Sequence, residues 1–138
     1  CFFVLTGCEQ VNEGDYKDGT YFGSNTDTYG TTPSVATAVV YVDESGMIKS
    51  GYLDTTYSKN NTLTTKKTLG EAYGMKVKSE VEKEWFEQVN LIESKVIENQ
   101  DLSFITLDDE CKTDSIAGVT MSVSALYNAL DVALKQAK

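Results

Sequence analysis

The chain predicts an α+β fold, an antiparallel β-sheet with two main α-helices packed on it, in a single domain. Three observations predict this. Its 138 residues suffice for one core but not two. A β-favouring apolar run, Val35 to Val42, leads into the turn Asp43-Glu44-Ser45-Gly46 and a returning segment, and two later segments carry apolar residues at helical spacing.

The first element is a short strand at Asp18-Gly19-Thr20-Tyr21-Phe22-Gly23, where β-favouring Thr, Tyr and Phe lie between glycines. Val35 to Val42 is a stronger strand, preceded by Pro33, the single proline, where a missing N–H costs little. The turn at 43–46 then returns the chain through Met47 to Tyr57 as a hairpin. Asn60 to Lys67 is polar and threonine-rich, and Leu69 to Met75 carries two glycines, so this span reads as a long surface excursion.

A helix follows, with Ser79 and Glu82 at capping-box spacing and an apolar stripe of Val81, Trp85, Val89, Ile92 and Val96. Trp85 and Phe86 are read as anchoring this helix on the sheet in preference to forming an aromatic cofactor cage. Asn99-Gln100-Asp101 ends it, and Leu102 to Leu107 reads as a final strand. Asp108-Asp109-Glu110 lacks the glycine and spaced oxygens of a calcium loop and reads as solvated surface. The last helix carries Leu126, Ala129, Leu130, Ala133 and Leu134 on one face, with Ser122 or Ser124 as its cap.

Composition narrows the chemistry. The formal net charge is −9, and all 12 cationic side chains are lysine, which argues against a nucleic-acid partner. There is no histidine, so the usual general base, the Ser-His and Cys-His pairs and the commonest metal ligand are missing. The cysteines at 1, 8 and 111 have no metal or dithiol spacing. No metal site and no catalytic acid or base is expected; redox chemistry would need an organic cofactor.

The N-terminus suggests an address. Leu5-Thr6-Gly7-Cys8, after an apolar start and before a polar stretch, resembles a bacterial lipobox. Residues 1–7 are then a signal-peptide remnant, residues 8–17 a lipidated N-terminus and tether with the lipid on Cys8, and residues 18–138 the folded domain. The alternative is that this run simply opens a buried strand. Lipidation would place the protein on the extracytoplasmic face of a bacterial cell membrane, held by its lipid anchor.

The run Asp114-Ser115-Ile116-Ala117-Gly118-Val119-Thr120 stands directly before the last helix. It sets a hydroxyl on a small-residue loop near a helix N-terminus, where a phosphate meets backbone N–H groups and a favourable dipole. Gly118 permits close backbone approach, while Ala117 and Val119 offer apolar contact. Local physics equally allows a loop in which Thr120 and the serines merely satisfy backbone donors.

Here the chain resembles the FMN-binding domain family, found in flavin-carrying subunits of sodium-pumping quinone reductases and in membrane-anchored lipoproteins of extracellular electron transfer. In that family an Asp-x-x-Ser/Thr-Gly-Ala-Thr run accepts FMN from a flavin transferase, which esterifies the phosphate onto the final threonine. Asp114, Gly118 and Thr120 match that run. Ala117 stands in place of the hydroxyl residue and Val119 in place of alanine. The Asp18-Gly19-Thr20-Tyr21 opening, the hairpin around Gly46, the Lys67-Thr68-Leu69-Gly70 loop and an Ala-Leu-rich closing helix follow in the family's order, across most of residues 18–138.

The resemblance implies an FMN-binding domain that relays electrons from a membrane redox partner to another acceptor, as a carrier more than a stand-alone enzyme. FMN would be phosphoester-linked to Thr120, with Asp114 in the transferase recognition run and Gly118 admitting the phosphate. The helix N-terminus beyond Ser122 would stabilise the remaining charge, and Tyr73 and Met75 would cover the ring. Two other readings stay open: a non-flavin surface lipoprotein acting as a binding or antigen module, and an enzyme with non-covalent FMN, for which Lys112 is the basic residue nearest in sequence.

Overall fold

A computed structural model of the chain describes residues 14–28 and 32–138. Four strands, β1 (Gly19–Asp27), β2 (Ser34–Val42), β3 (Ile48–Lys59) and β4 (Thr62–Thr65), form an antiparallel sheet in the order β1-β2-β3-β4. A single-turn helix α1 (Lys66–Leu69) and two 3-10 turns (Gly70–Tyr73 and Lys76–Lys78) lead to α2 (Trp85–Asn99), and α3 (Ser124–Gln136) closes the described chain. The expected α+β architecture, with two main helices on an antiparallel sheet, is what forms.

Alternation along β2 sets the core. Ala36, Ala38, Val40 and Val42 are completely buried, whereas Val39 and Tyr41 face outward, as the two-residue period of a strand requires. The inner face receives α3 through Leu126, Ala129, Leu130, Ala133 and Leu134, all buried and all on the stripe expected from sequence. Small residues allow a close approach: a Cβ on Gly23 would lie 2.1 Å from the Ala129 carbonyl oxygen and 2.7 Å from the Ala133 nitrogen. Helix α2 packs mainly on β3, burying Trp85, Val89, Ile92 and Val96. Trp85 is thus a core anchor, as expected. The outer sheet face shows an exposed row across three strands, Phe22 opposite Val39 opposite Tyr52.

The hairpin turn between β2 and β3 is stapled by Asp43, whose Oδ1 accepts from the Ser45 amide (3.0 Å), the Ser45 hydroxyl (2.6 Å) and the Met47 amide (3.2 Å). Gly46 takes the left-handed conformation there, at φ 79°.

Four expectations are corrected. The span from Asn60 is not a surface excursion throughout: Asn60 and Asn61 have φ of 52° and 62°, forming a two-residue turn that pairs β4 with β3. Asn tolerates left-handed backbone better than most residues, and two successive positive φ values match the twist of a tight hairpin. The first main helix does not start at Ser79: Glu82 has φ 52°, and the capping box is Glu84 with Glu87, the Glu84 amide donating to Glu87 Oε2 at 2.8 Å. Val81 therefore falls outside the helix. Leu102 to Leu107 is not a strand. Leu102 and Ile105 are pinned in the core by a turn, and the Thr106 amide donates to the Ser115 hydroxyl, not to a ladder partner. Neither Ser122 nor Ser124 caps α3; Val123 holds that position, its aliphatic side chain offers no acceptor and is 3% exposed, and its amide donates to the Cys111 carbonyl.

The apolar start, the Leu5-to-Cys8 run and the lipidation site Cys8 lie outside the described residues. Among the described residues no helix is long and apolar enough to cross a membrane.

Candidate functional site

Between α2 and α3 the chain makes a 24-residue crossing without regular structure, from Gln100 to Val123. Buried side chains hold it down at intervals: Leu102, Ile105, Thr113, Ile116, Val119 and Val123. Acceptors along the backbone shape the rest. Asp108 Oδ1 takes the amides of Glu110 (2.8 Å) and Lys112 (2.9 Å), and the Thr113 hydroxyl takes that of Ser115 (3.0 Å). Asp108 is therefore a turn former. Among the described residues no group of three or more His, Cys, Asp or Glu side chains is placed to hold a metal.

Residues 114–120 form a turn pinned on both sides. Ile116 (2% exposed) and Val119 (4% exposed) insert into the core, the Val119 amide donates to the Ile116 carbonyl at 3.3 Å, and Gly118 between them is left-handed at φ 88°. A Cβ at Gly118 would lie 2.9 Å from Leu91 Cδ1 and 3.3 Å from Lys83 Cε, so this glycine is required by conformation and favoured by proximity. Asp114 and Ala117 are exposed, and Thr120 is half-buried.

These residues border an open groove of about 620 Å³. Asp114, Ala117, Val119 and Thr120 all line it, together with residues that include Leu107 and Glu80. Its volume suits a small organic ligand. Four of the residues singled out from sequence are thus brought to one surface, with Gly118 in the same turn. Ser122 is exposed but is not in the lining, and Val119 meets the groove only at its floor.

The aromatic cover does not form from the expected residues. Tyr73 lines a different cavity of about 480 Å³, together with Tyr57 and Lys66, and packs edge-on against Tyr57 at 5.1 Å. Its ring is occupied by that contact and by the Lys66 ammonium, 5.1 Å away. Met75 lines neither cavity; its amide donates to Glu84 Oε1 at 2.9 Å, ahead of α2.

Charge around the groove is mixed. Glu80, Asp108 and Asp114 contribute carboxylates, and Lys112 is the cation in the lining, 3.8 Å from Glu110. Lys83, whose alkyl end lies against Gly118, makes no ion pair among the described residues. Helix α3 starts four residues beyond Thr120 with neither a side-chain cap nor an acid in its first turn, so its N-terminal partial charge is unmet by side chains.

Sequence reasoning missed Gln88. It lies on α2, is completely buried, and its Oε1 accepts the Thr120 amide at 2.9 Å while its Nε2 donates to the Ser79 hydroxyl at 3.2 Å. The Thr120 hydroxyl itself makes no hydrogen bond among the described residues.

Fold and site define a small α+β domain that offers a threonine hydroxyl on a fixed loop beside a ligand-sized groove. No protein-family model matches the chain, and no curated protein matches it. A solved structure is similar: a Clostridium thermocellum protein determined by solution NMR as a structural-genomics target, with 28% identity and a TM-score of 0.58. The similarity covers 87% of this chain and 91% of that one, and that protein's name carries no activity.

Proposed function

We propose that this chain is an extracytoplasmic electron carrier that bears FMN as a phosphoester on Thr120 and is anchored to the bacterial membrane by lipid on Cys8. The observation that carries the reading is the setting of Thr120: amide locked inward on Gln88, hydroxyl unbonded among the described residues, side chain on a groove of about 620 Å³. The match of Asp114, Gly118 and Thr120 to the family's acceptor run supports it.

The residues present suit the group. A phosphodiester carries one negative charge, and the uncapped start of α3, Lys112 and Lys83, which makes no ion pair among the described residues, are the positive features near the 118–120 turn. Leu107 and Ala117 give the groove apolar surface for a flat ring, over the buried Ile116 and Val119. When bound, FMN supplies one- and two-electron chemistry that no side chain here provides. The chain's own part is to hold the cofactor covalently, position it and leave one edge reachable by partners. Asp114, exposed at the start of the turn, is available to the flavin transferase for recognition. A membrane redox partner delivers electrons and a second acceptor removes them.

The lining favours this over non-covalent FMN. A free phosphate monoester is close to a dianion at neutral pH, and against the lining's three carboxylates it would have Lys112, itself beside Glu110, Lys83 and the start of α3 to hold it, a weaker match than for an attached monoanion. Covalent attachment replaces affinity.

Co-expression with a flavin transferase followed by intact-mass measurement tests the proposal. The expected result is addition of one FMN moiety, lost in Thr120→Val. A chain that stays unmodified and also fails to bind free FMN overturns the flavin reading and leaves the lipoprotein binding module. Cys8→Ser is expected to release the protein from membranes; membrane retention overturns the lipid anchor alone.

A further inference from the structure

Gln88 sits where α2 should be apolar. It is three residues after Trp85 and four before Ile92, on the buried stripe, and is itself 0% exposed. Burying a carboxamide is unfavourable unless both its ends are hydrogen-bonded. Both are, and both partners lie outside regular structure: Ser79 in the segment before α2 and Thr120 in the turn before α3. One side chain on a rigid helix therefore ties together two loops 41 positions apart.

The consequence at Thr120 is geometric. With its N–H directed into the core at Gln88, the residue's remaining freedom is on the groove side, where its hydroxyl has no internal partner among the described residues. The neighbouring pins, Ile116 and Val119, fix the turn's height but do not hold the backbone of residue 120 itself.

We propose that Gln88 is a positioning residue for modification of Thr120, fixing the acceptor backbone so that Oγ1 is presented to an incoming flavin phosphate. This rests on the reading of Thr120 as a flavin acceptor. An alcohol does not readily displace hydroxide from a phosphate monoester, so the donor is a flavin pyrophosphate such as FAD. The Thr120 Oγ1–H proton passes to a base on the transferase, and Oγ1 forms a bond to the flavin-side phosphorus. The bridging P–O bond breaks, and the nucleoside monophosphate leaves with the bridging oxygen. Nothing is oxidised or reduced. Gln88 does not touch the reacting atoms; it restricts where the nucleophile sits, which governs such displacements steeply.

Three variants of the full chain test this, each followed by hydrogen exchange of the Thr120 amide, thermal unfolding and the rate of flavin loading by transferase plus FAD. Gln88→Met keeps the side-chain length and removes the acceptor; the Thr120 amide should lose protection and loading should slow on the order of tenfold or more. Gln88→Glu keeps an acceptor for the amide and should recover both protection and much of the rate. Ser79→Ala removes the other anchor of the carboxamide and should weaken protection and loading together, which keeps the inference testable if Gln88→Met does not fold. Loading at the wild-type rate in any variant that has lost Thr120 protection overturns the inference while the acceptor reading stands. Equal loss in the Met and Glu variants, in step with their melting temperatures, makes Gln88 a packing residue only. A wild-type chain that takes no flavin overturns both.

Discussion

Gly23 and Ala129 meet without an intervening side chain: a Cβ on Gly23 would stand 2.1 Å from the Ala129 carbonyl oxygen. This is where α3 crosses β1, and Gly23 pairs across the sheet with Ala38, itself completely buried. The row of small residues lets the helix backbone sit directly on the strand. At its far end the contact is tied by Gln136 Nε2, which donates to the Phe22 carbonyl at 2.8 Å. The start of α3, and with it the turn carrying Thr120, is positioned from this crossing.

Gly23→Ala is therefore expected to be among the most damaging single-methyl changes in the molecule. The atoms it meets belong to helix backbone and cannot rotate away, so α3 must lift from the sheet. Overpacking of this kind costs about 1–3 kcal/mol, and the rigid obstacle favours the upper end. Urea unfolding measures it; a loss below about 0.5 kcal/mol would show that α3 is not seated as described.

Gly118→Ala meets a different obstacle. Its neighbours are the ends of Leu91 and Lys83, which can shift, so the main penalty is the left-handed backbone at φ 88°. That strain is worth about 1 kcal/mol. Gly118→Asn should be milder, because Asn tolerates the conformation. If Ala and Asn destabilise equally in urea unfolding, sterics and not backbone conformation govern the position.

Much of this architecture is legible in the sequence because its main elements carry β-favouring runs or helical apolar spacing next to turn signals. A β-favouring apolar run before a turn marks β2, although its outer face is apolar as well, at Val39, and Leu126 to Leu134 mark α3 by their helical spacing. The elements that escaped have no such run or spacing. Strand β4 is Thr62-Leu63-Thr64-Thr65, with Leu63 76% exposed, so only the Asn60-Asn61 turn advertises it. Leu102 to Leu107 looks like a strand because Leu102 and Ile105 are buried, yet each is a separate anchor of a turning chain. The 114–120 turn was singled out from residue types; Gln88 was not, although a polar residue on the stripe between Trp85 and Ile92 is itself a signal. Tyr73 and Met75 were chosen for the cover as an aromatic and a polarizable side chain on the 69–75 loop, and the packing of Tyr73 on Tyr57 takes it to another cavity.

Asp43 makes the stability of the β2–β3 hairpin depend on acid. The Ser45 hydroxyl bond, with further help from the Met47 and Ser45 amides and Lys49, holds its pKa below the ordinary aspartate value despite some desolvation. A carboxylate whose pKa is lower folded than unfolded adds stability above the unfolded value, about 3.9, and loses it as pH falls through the folded one. Asp43→Asn removes the charge but keeps an oxygen acceptor. The wild type should be more stable than Asp43→Asn at pH 7, with the gap closing as pH drops below about 4. A gap independent of pH in paired denaturant titrations would assign the difference to local packing.

Glu93 and Lys67 form an ion pair whose side chains are only 14% and 11% exposed. Glu93 Oε2 also accepts the Leu53 amide at 2.7 Å, so one carboxylate fastens α2 both to β3 and to α1. Lys67 is further enclosed by the Tyr52 ring, 4.0 Å from its Nζ. Removing either partner leaves the other charge in a poorly hydrated place, and such single losses cost about 3–5 kcal/mol when burial is complete. Residual solvent access lowers the expectation here to about 2–3 kcal/mol for Lys67→Met. Glu93→Gln keeps an acceptor for Leu53 but strands the lysine, and should cost about 1–2 kcal/mol. The double variant Lys67→Met, Glu93→Gln has no stranded charge and keeps the Leu53 bond, so its loss should be smaller than the sum of the two singles by about 1 kcal/mol or more. A double-mutant cycle by urea unfolding reads this directly. Strict additivity would mean that Glu93 holds the helix through Leu53 alone and that Lys67 belongs energetically to the Tyr52 ring.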